Sequence, residues 1–298
     1  FKNSGLGTPI IVAKEKVVKQ RLKEIGYGKN LDIKIVNSTD KKLRDKYVKI
    51  LFKKMYRDQG LLERDCDRMI RTDRVIWASC MVECGDADAM VTGNTRRYSQ
   101  SLDKIKKVIP ARIGEIMFGL NMVVSKGKTV FIGDTSVNEY PSSEELADIA
   151  ISSARVVRLF GFDPKVAFLS HSTFGQPITS RTKHIRDAVQ ILKERNVDFK
   201  FDGDMQPDVA LNEEYSDLYP FSEIVGKANI LIMPGQHSAA ISNKIMKTLG
   251  GAKIVGPLLI GLAQPIEIAP LRSSTSEILD LASVAAYSAG VINYKKTK

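Results

Sequence analysis

Three apolar runs in this chain each end in a short string of small, polar residues. Asp88 to Val91 leads into Thr92, Gly93 and Asn94. Val166 to Leu169 leads into Ser170, His171, Ser172, Thr173, Phe174 and Gly175, and Ile230 to Met233 leads into Pro234, Gly235, Gln236, His237 and Ser238. Backbone N–H groups and hydroxyls in such strings suit phosphate oxygens, and the N-terminus of a following helix adds its positive end. One such string is also an ordinary turn; three together point to a shared anion-binding cleft. His171 and His237 lie within these strings and could contact ligand or act as bases, although a loop imidazole satisfied by neighbouring backbone is the commoner case. Asp202, Asp204 and Asp208 could be read as an acidic metal cluster. Capping a turn and lining the cleft is the favoured reading, and no metal is expected. Neither G-x-G-x-x-G nor G-x-x-x-x-G-K-[ST] occurs at a strand–helix junction, and H-E-x-x-H and G-x-S-x-G are missing as well.

The elements that must hold these strings alternate along the chain. Strands are expected at Pro9 to Val12, Leu31 to Val36, Ala87 to Val91, Lys165 to Leu169, Ala228 to Met233 and Ile254 to Ile260. Helices are expected over Lys14 to Ile25, Lys41 to Asp58, Ser99 to Val108 and Arg181 to Asn196, after the Ala228 to Met233 strand through Leu249, and over Ser274 to Gly290. A single long helix is expected over Arg64 to Cys84, stopped by Gly85. Gly114 to Val124 and Lys128 to Gly133 read as a hairpin turned by Lys126 and Gly127, and Ser142 with Glu145 forms a capping box for a helix to Phe160. Such alternation argues for α/β layers with a mostly parallel, mixed sheet. A lobe boundary is expected near Pro110, with residues 1–110 and 270–298 in one lobe and 111–269 in the other.

Bulk properties narrow the classes further. The chain has 298 residues, 43% hydrophobic and 27% charged, with no apolar run near membrane-spanning length. A start on Phe1 already entering a strand reads as a piece of a longer polypeptide. The three cysteines Cys66, Cys80 and Cys84 form no paired framework, read as packing residues, and suit a reducing cytoplasm. Net charge is +11, much of it before residue 75. Val48, Leu51, Phe52 and Met55 share one helical stripe with lysines on the other, which favours a solvated helix face over a nucleic-acid partner. Neither nucleic acid nor membrane is expected as a partner.

The segment GPLLIGLAQPIEIAPLRSSTSE, Gly256 to Glu277, resembles the substrate loop of phosphotransacetylases, the phosphate acetyl/butyryltransferase family. So do GDADAMVTG at Gly85 to Gly93, DPKVAFLSHSTFG at Asp163 to Gly175, FDGDMQPDVAL at Phe201 to Leu211, and ANILIMP at Ala228 to Pro234. The resemblance runs from about Thr8 to Tyr287. In active members a proline is followed by a Ser-Arg pair and then an aspartate. Counting on from Pro265, those slots hold Pro270, Leu271 and Glu277, whereas a one-residue shift brings Arg272 near the arginine position. Ala239 and Ala240 stand where active relatives carry Gly-Asn. STFGQPITSR, VDFKFDGDMQPDVALN, LYPFS and MPGQHSAAIS look most like the transacetylase-like C-terminal half of bacterial NADP-dependent malic enzymes.

The resemblance implies a two-lobed, three-layer α/β/α fold with a cleft between lobes, like that of isocitrate and isopropylmalate dehydrogenases. It implies homodimers through this domain, higher-order assembly in a full chain, and an upstream malic enzyme domain using NADP and Mg or Mn. No cofactor is expected in the domain itself. Acetyl-CoA is expected as an allosteric inhibitor, contacted by Thr92, Gly93, Ser170, Ser172, Thr173, Gln236, His237, Ser238 and Arg272. The alternatives are a working phosphate acetyltransferase and a purely structural assembly module.

Overall fold

A computed structural model of the chain describes residues 1–27, 33–175 and 178–296. Contacts divide it into two units, Phe1–Pro110 with Leu262–Lys298, and Ala111–Gly261. The surplus of Lys and Arg lies wholly in the first unit; in the second, acids and bases nearly balance.

The first unit begins with β1 (Ile10–Val12), α1 (Glu15–Glu24) and β2 (Lys34–Val36), the two strands pairing in parallel. The expected strand start at Leu31 lies outside the described residues. The helix α2 (Lys41–Gln59) is capped by Asp40, whose carboxylate accepts from Leu43 N–H at 3.1 Å, and it ends on Gly60 in the left-handed region at φ 64°. Its apolar stripe is buried, with Tyr47 and Leu51 at 0% exposure and the Trp77 ring edge-on to Tyr47 at 5.1 Å. Several of its basic residues serve local pairs: Lys46 with Asp86 at 2.7 Å and Arg44 with Asp67 at 3.3 Å.

The long helix expected over Arg64 to Cys84 is two helices, α3 (Glu63–Thr72) and α4 (Arg74–Glu83). Asp73 divides them: its backbone is extended, and its carboxylate accepts from Val75 N–H at 2.9 Å as the cap of α4. The same carboxylate meets Lys104 and, at 3.0 Å, Arg96. Cys66 and Cys80 are buried free thiols, and burial pushes Cys80 up to about 12. Next come β3 (Met90–Gly93) and α5 (Tyr98–Lys106); β10 (Ile266–Ala269) pairs in parallel with β3, and α10 (Thr275–Lys296) closes the unit. Because β10 pairs with β3, the chain re-enters the first unit at Leu262 and not near Pro270.

The second unit is built on a six-stranded sheet in the order β7-β6-β8-β5-β4-β9. Its strands are β4 (Phe118–Ser125), β5 (Lys128–Gly133), β6 (Lys165–Leu169), β7 (Lys200–Met205), β8 (Ile230–Ile232) and β9 (Lys253–Ile260). The hairpin β4–β5 turns through Lys126 and Gly127 at φ 49° and 76°, the twist that two-residue hairpins favour. Strands β5, β8, β6 and β7 run parallel, and β4 pairs antiparallel with β5 and β9. The sheet is therefore mixed.

Alternate strand residues face two helical layers. A Cβ on Gly133 would meet Ile149 on α6 (Ser143–Leu159), so this face lies under α6; α7 (Ser180–Glu194) packs beside α6. Ile132, Ala167, Leu169, Leu231 and Met205 instead share a cluster with Val209 and Ala210 of α8 (Pro207–Leu211) and Ala239 of α9 (Gln236–Thr248). Residues buried on both faces explain why the parallel strands read as continuous apolar runs. The Ser142 and Glu145 capping box forms as the sequence predicts, with N–H bonds of 3.1 and 2.7 Å. Among the described residues no helix is long and apolar enough to cross a membrane.

Candidate functional site

In the second unit the loops after β5, β6, β7 and β8 leave the same edge of the sheet, because those four strands are parallel neighbours. This is where open α/β sheets hold ligands. The loop after β6 is tied down at every step. Ser170 N–H donates to Met205 carbonyl at 2.9 Å, and its Oγ lies 3.2 Å from Ser172 Oγ. Ser172, 1% exposed, donates its hydroxyl proton to Asp204 Oδ2. Gln206 N–H donates to Thr173 Oγ1 at 3.2 Å, while Gln206 Nε2 donates to His171 carbonyl at 2.7 Å. Phe174, at φ 49°, donates its N–H to Asp204 carbonyl at 2.7 Å.

Ser172 thus works inward, with its proton committed to a carboxylate. His171 contributes its carbonyl to the loop. Asp204 is fully buried; its Oδ1 has no hydrogen-bond partner and lies 3.7 Å from Arg186 Nε. The three acids that the sequence offers as a cluster or, in the favoured reading, as turn-capping and cleft-lining residues have separate partners. Asp202 Oδ1 accepts from Gly203 N–H at 2.9 Å, and Asp208 bonds Tyr215, raising that phenol. Arg186 was missed, since nothing in α7 marks it apart from its charge.

The loop after β8 enters α9 through Gly235. Gln236 N–H donates to Glu139 carbonyl at 3.2 Å. The exposed His237 ring lies 3.3 Å from Glu139 Oε1 and stacks on Tyr140 at 5.9 Å. Ser238 is exposed on the first turn of α9. The loop after β5 was also missed. Its Asp134 carboxylate accepts from the N–H groups of Gly119, Ser136, Val137 and Asn138 at 2.7 to 3.1 Å. An Asp followed by Thr and Ser after an apolar strand was the available signal.

In the first unit, Thr92 and Gly93 belong to β3 itself and not to a loop; they stand opposite Ile268 and Ala269 of β10. Gly93, at φ 105°, is needed there, because a Cβ would lie 2.2 Å from Ala269 carbonyl oxygen. Pairing of β3 with β10 brings 92–94 beside 270–277. Asn94 N–H donates to Ala269 carbonyl at 2.9 Å, and Arg272 N–H donates to Asn94 carbonyl at 3.1 Å. Asn94 and Arg272 both sit in the left-handed region, at φ 64° and 61°. Pro270 carbonyl accepts from Ser273 N–H and Oγ at 3.2 and 2.9 Å. Leu271 is 53% exposed. Glu277 caps α10: its Oε2 accepts from Ser274 N–H at 2.8 Å and Oγ at 3.0 Å, and Glu277 N–H returns a bond to Ser274 Oγ at 3.3 Å. Among the described residues no group of three or more His, Cys, Asp or Glu side chains is placed to hold a metal ion.

The chain is similar to several characterised proteins. An NADP-dependent malic enzyme from Rhizobium meliloti is 42% identical over 293 residues, covering 97% of this chain and 38% of the relative. The corresponding Escherichia coli enzyme is 32% identical over 290 residues, 96% of this chain and 38% of its own length. The chain thus spans about two fifths of these malic enzymes. A phosphate acetyltransferase from Clostridium acetobutylicum is 29% identical over 297 residues, covering 96% of this chain and 87% of the relative. A phosphotransacetylase structure from Streptococcus pyogenes superposes with a TM-score of 0.86 at 29% identity, over 97% of this chain and 88% of that one. With the family model for phosphate acetyl/butaryl transferase matching residues 1–286, the chain belongs to that family.

Proposed function

We propose that this chain is a phosphotransacetylase-like regulatory domain of an NADP-dependent malic enzyme. In this reading it binds acetyl-CoA as an allosteric inhibitor, does not turn it over, and mediates oligomerisation. The parent reaction is oxidative decarboxylation of malate to pyruvate, with NADP and a divalent metal bound outside this domain. The span of about two fifths of the malic enzyme relatives supports the parentage.

The state of residues 270–277 carries the non-catalytic part. Acetyl transfer from CoA to phosphate needs donors for the developing oxyanion and a base for the thiol. At the Ser-Arg slots Pro270 has no side-chain donor, and Leu271 is an exposed hydrocarbon. Loss of one preorganised donor commonly costs about 10²–10³ in rate. The carboxylate of Glu277 is engaged in capping α10. Binding can outlast these losses: the guanidinium of Arg272 is exposed and is able to hold a phosphate.

Inhibition requires that acetyl-CoA prefer one of two states of the full protein. Calorimetric titration of acetyl-CoA is the test, and no binding at millimolar concentration refutes the sensing role. Arg272 also favours a second reading, a working phosphate acetyltransferase, because a one-residue shift brings it near the family arginine. Formation of acetyl phosphate from acetyl-CoA and phosphate would establish that reading.

A further inference from the structure

Among the described residues, the hydrogen bonds that tie the loop after β6 to the rest of the second unit all end on residues 204–206. Ser170 N–H reaches Met205 carbonyl, while the Ser172 hydroxyl and Phe174 N–H reach the carboxylate and the carbonyl of Asp204. Gln206 donates its N–H to Thr173 Oγ1 and an Nε2 proton to His171 carbonyl. Phe174 meanwhile holds φ at 49°, a conformation that residues with a Cβ seldom adopt and that persists where surrounding contacts fix it. Residues 204–206 lie at the end of β7, an edge strand with β6 as its one sheet neighbour. A contact that fixes them from the side of α7, which packs against β7, therefore fixes the loop as well.

That contact centres on Asp204. The residue is 0% exposed; Oδ2 accepts from Ser172, and Oδ1 has no hydrogen-bond partner. A buried carboxylate oxygen with neither donor nor counter-charge is costly. Arg186 of α7 supplies the counter-charge, with Nε 3.7 Å from Oδ1. That is too long for a direct hydrogen bond but close enough for attraction where water is excluded. The guanidinium also rests on the loop itself: a Cβ on Gly175, at φ 104°, would stand 2.9 Å from Nη2 and 3.1 Å from Nη1. The neighbouring carboxylates have other partners. Asp202 Oδ1 accepts from Gly203 N–H at 2.9 Å, and Asp187 pairs with Lys183 at 4.0 Å.

The same carboxylate sets the direction of two hydroxyls. Asp204 Oδ2 accepts, so Ser172 donates to it; Ser172 Oγ then accepts from Ser170 Oγ at 3.2 Å. With its proton turned inward, Ser170 offers a lone pair to a ligand N–H, O–H or S–H group. We propose that Arg186 is a positioning residue: acting through Asp204 from outside the loop, it holds residues 170–175 in the conformation that presents Ser170 and Thr173. That the loop serves acetyl-CoA rests on the proposed function; the positioning itself does not.

The test is amide hydrogen exchange of the ligand-free chain, read by mass spectrometry over peptides covering 168–175, for the wild type, Arg186→Met, Arg186→Lys, Asp204→Asn and Arg186→Met/Asp204→Asn. Arg186 is 43% exposed, so screening moderates the effect. Arg186→Met should speed exchange over 170–175 about tenfold and leave β4 and β5 unchanged. Arg186→Lys, with similar bulk and the charge kept, should retain most of the protection. In the Asp204→Asn background Arg186→Met should add less than about twofold. Unchanged exchange in Arg186→Met overturns the proposal, and so does a rise spread evenly over the second unit. Equal effects of Met and Lys would reduce Arg186 to packing, and an undiminished effect beside Asp204→Asn would remove Asp204 from the path; either result overturns it. The Met and Lys comparison decides where Asp204→Asn fails to fold. Calorimetric titration of acetyl-CoA runs alongside: no binding to the wild type removes the effector reading and leaves the exchange result standing.

Discussion

Replacing Glu277 separates a structural carboxylate from a reacting one. The capping box ties Ser274 to Glu277 through three hydrogen bonds of 2.8, 3.0 and 3.3 Å at the first turn of α10. Glu277→Ala removes the bonds to Oε2, about 1 kcal/mol for a cap of this kind. It also removes a negative charge from the positive end of a helix, about 0.5 kcal/mol at a surface. The sum, about 1.5 kcal/mol, corresponds to a fall of about 2.5 °C in Tm for a chain of this size. Glu277→Gln keeps an acceptor in the same place and loses only the charge, so about one third of that fall is expected. Differential scanning calorimetry of both variants reads these shifts, and a coupled assay reads acetyl phosphate formation in parallel. If the wild type makes acetyl phosphate, and both variants abolish it with Tm unchanged, Glu277 is a proton-transferring group and the capping argument fails.

Asp73→Ala should cost about 3 kcal/mol in chemical denaturation, since it removes the cap of α4 and leaves Lys104 and Arg96 without their shared partner. Burial alone raises the Asp73 carboxyl, but Lys104, Val75 N–H and Arg96 outweigh it and hold the group below the usual carboxylate range. Its contribution is therefore complete above the unfolded value of about 3.9, and is lost as pH falls through the lower folded value. Wild type and Asp73→Ala should converge in stability at strongly acid pH and diverge as pH rises. Gly93→Ala forces a Cβ to within 2.2 Å of Ala269 oxygen at a positive φ, and should cost about 3 kcal/mol or more by the same denaturation measurement. Alkylation by iodoacetamide should reach the half-buried Cys84 before Cys66 or Cys80. Mass spectrometry of a time course reads the order, and early labelling of Cys80 would contradict its burial and raised thiol.

Local signals made much of the fold legible. The Lys126–Gly127 turn and the Ser142–Glu145 box each act within a few residues, and both formed where the sequence places them. The break at Asp73 was hidden because apolar spacing continues from α3 into α4 across it; the cap residue itself was the signal. The strand β7 was missed because KFDGDM is polar and rich in Asp and Gly. Pairing with β6 at the sheet edge, which no local pattern reports, makes it a strand. The strand β10 carries a buried Glu267 in an apolar tetrapeptide, and its membership of the first unit depends on pairing with β3. Among site residues, the strings after β6 and β8 were visible by composition. Asp204 was visible as one of three acids, but its partner Arg186 was not, since the two meet only when α7 is laid beside β7.

The loop geometry also explains how the backbone frame and the side chains it carries can vary independently. The bonds holding 92–94 to 269–273 run from Asn94 N–H to Ala269 carbonyl, Arg272 N–H to Asn94 carbonyl and Ser273 N–H to Pro270 carbonyl. All three are backbone bonds, and none uses the side chain at 270 or 271. Proline loses only its N–H there, a group these contacts do not call on, and it lowers the freedom of the unfolded chain. An exposed leucine at 271 is close to neutral for stability. Side chains in the two slots can therefore change with little penalty to the frame, whereas Gly93, whose missing Cβ admits the Ala269 backbone, cannot. Folding alone therefore constrains Gly93 and the backbone frame of this loop and leaves the side chains at 270 and 271 free to vary.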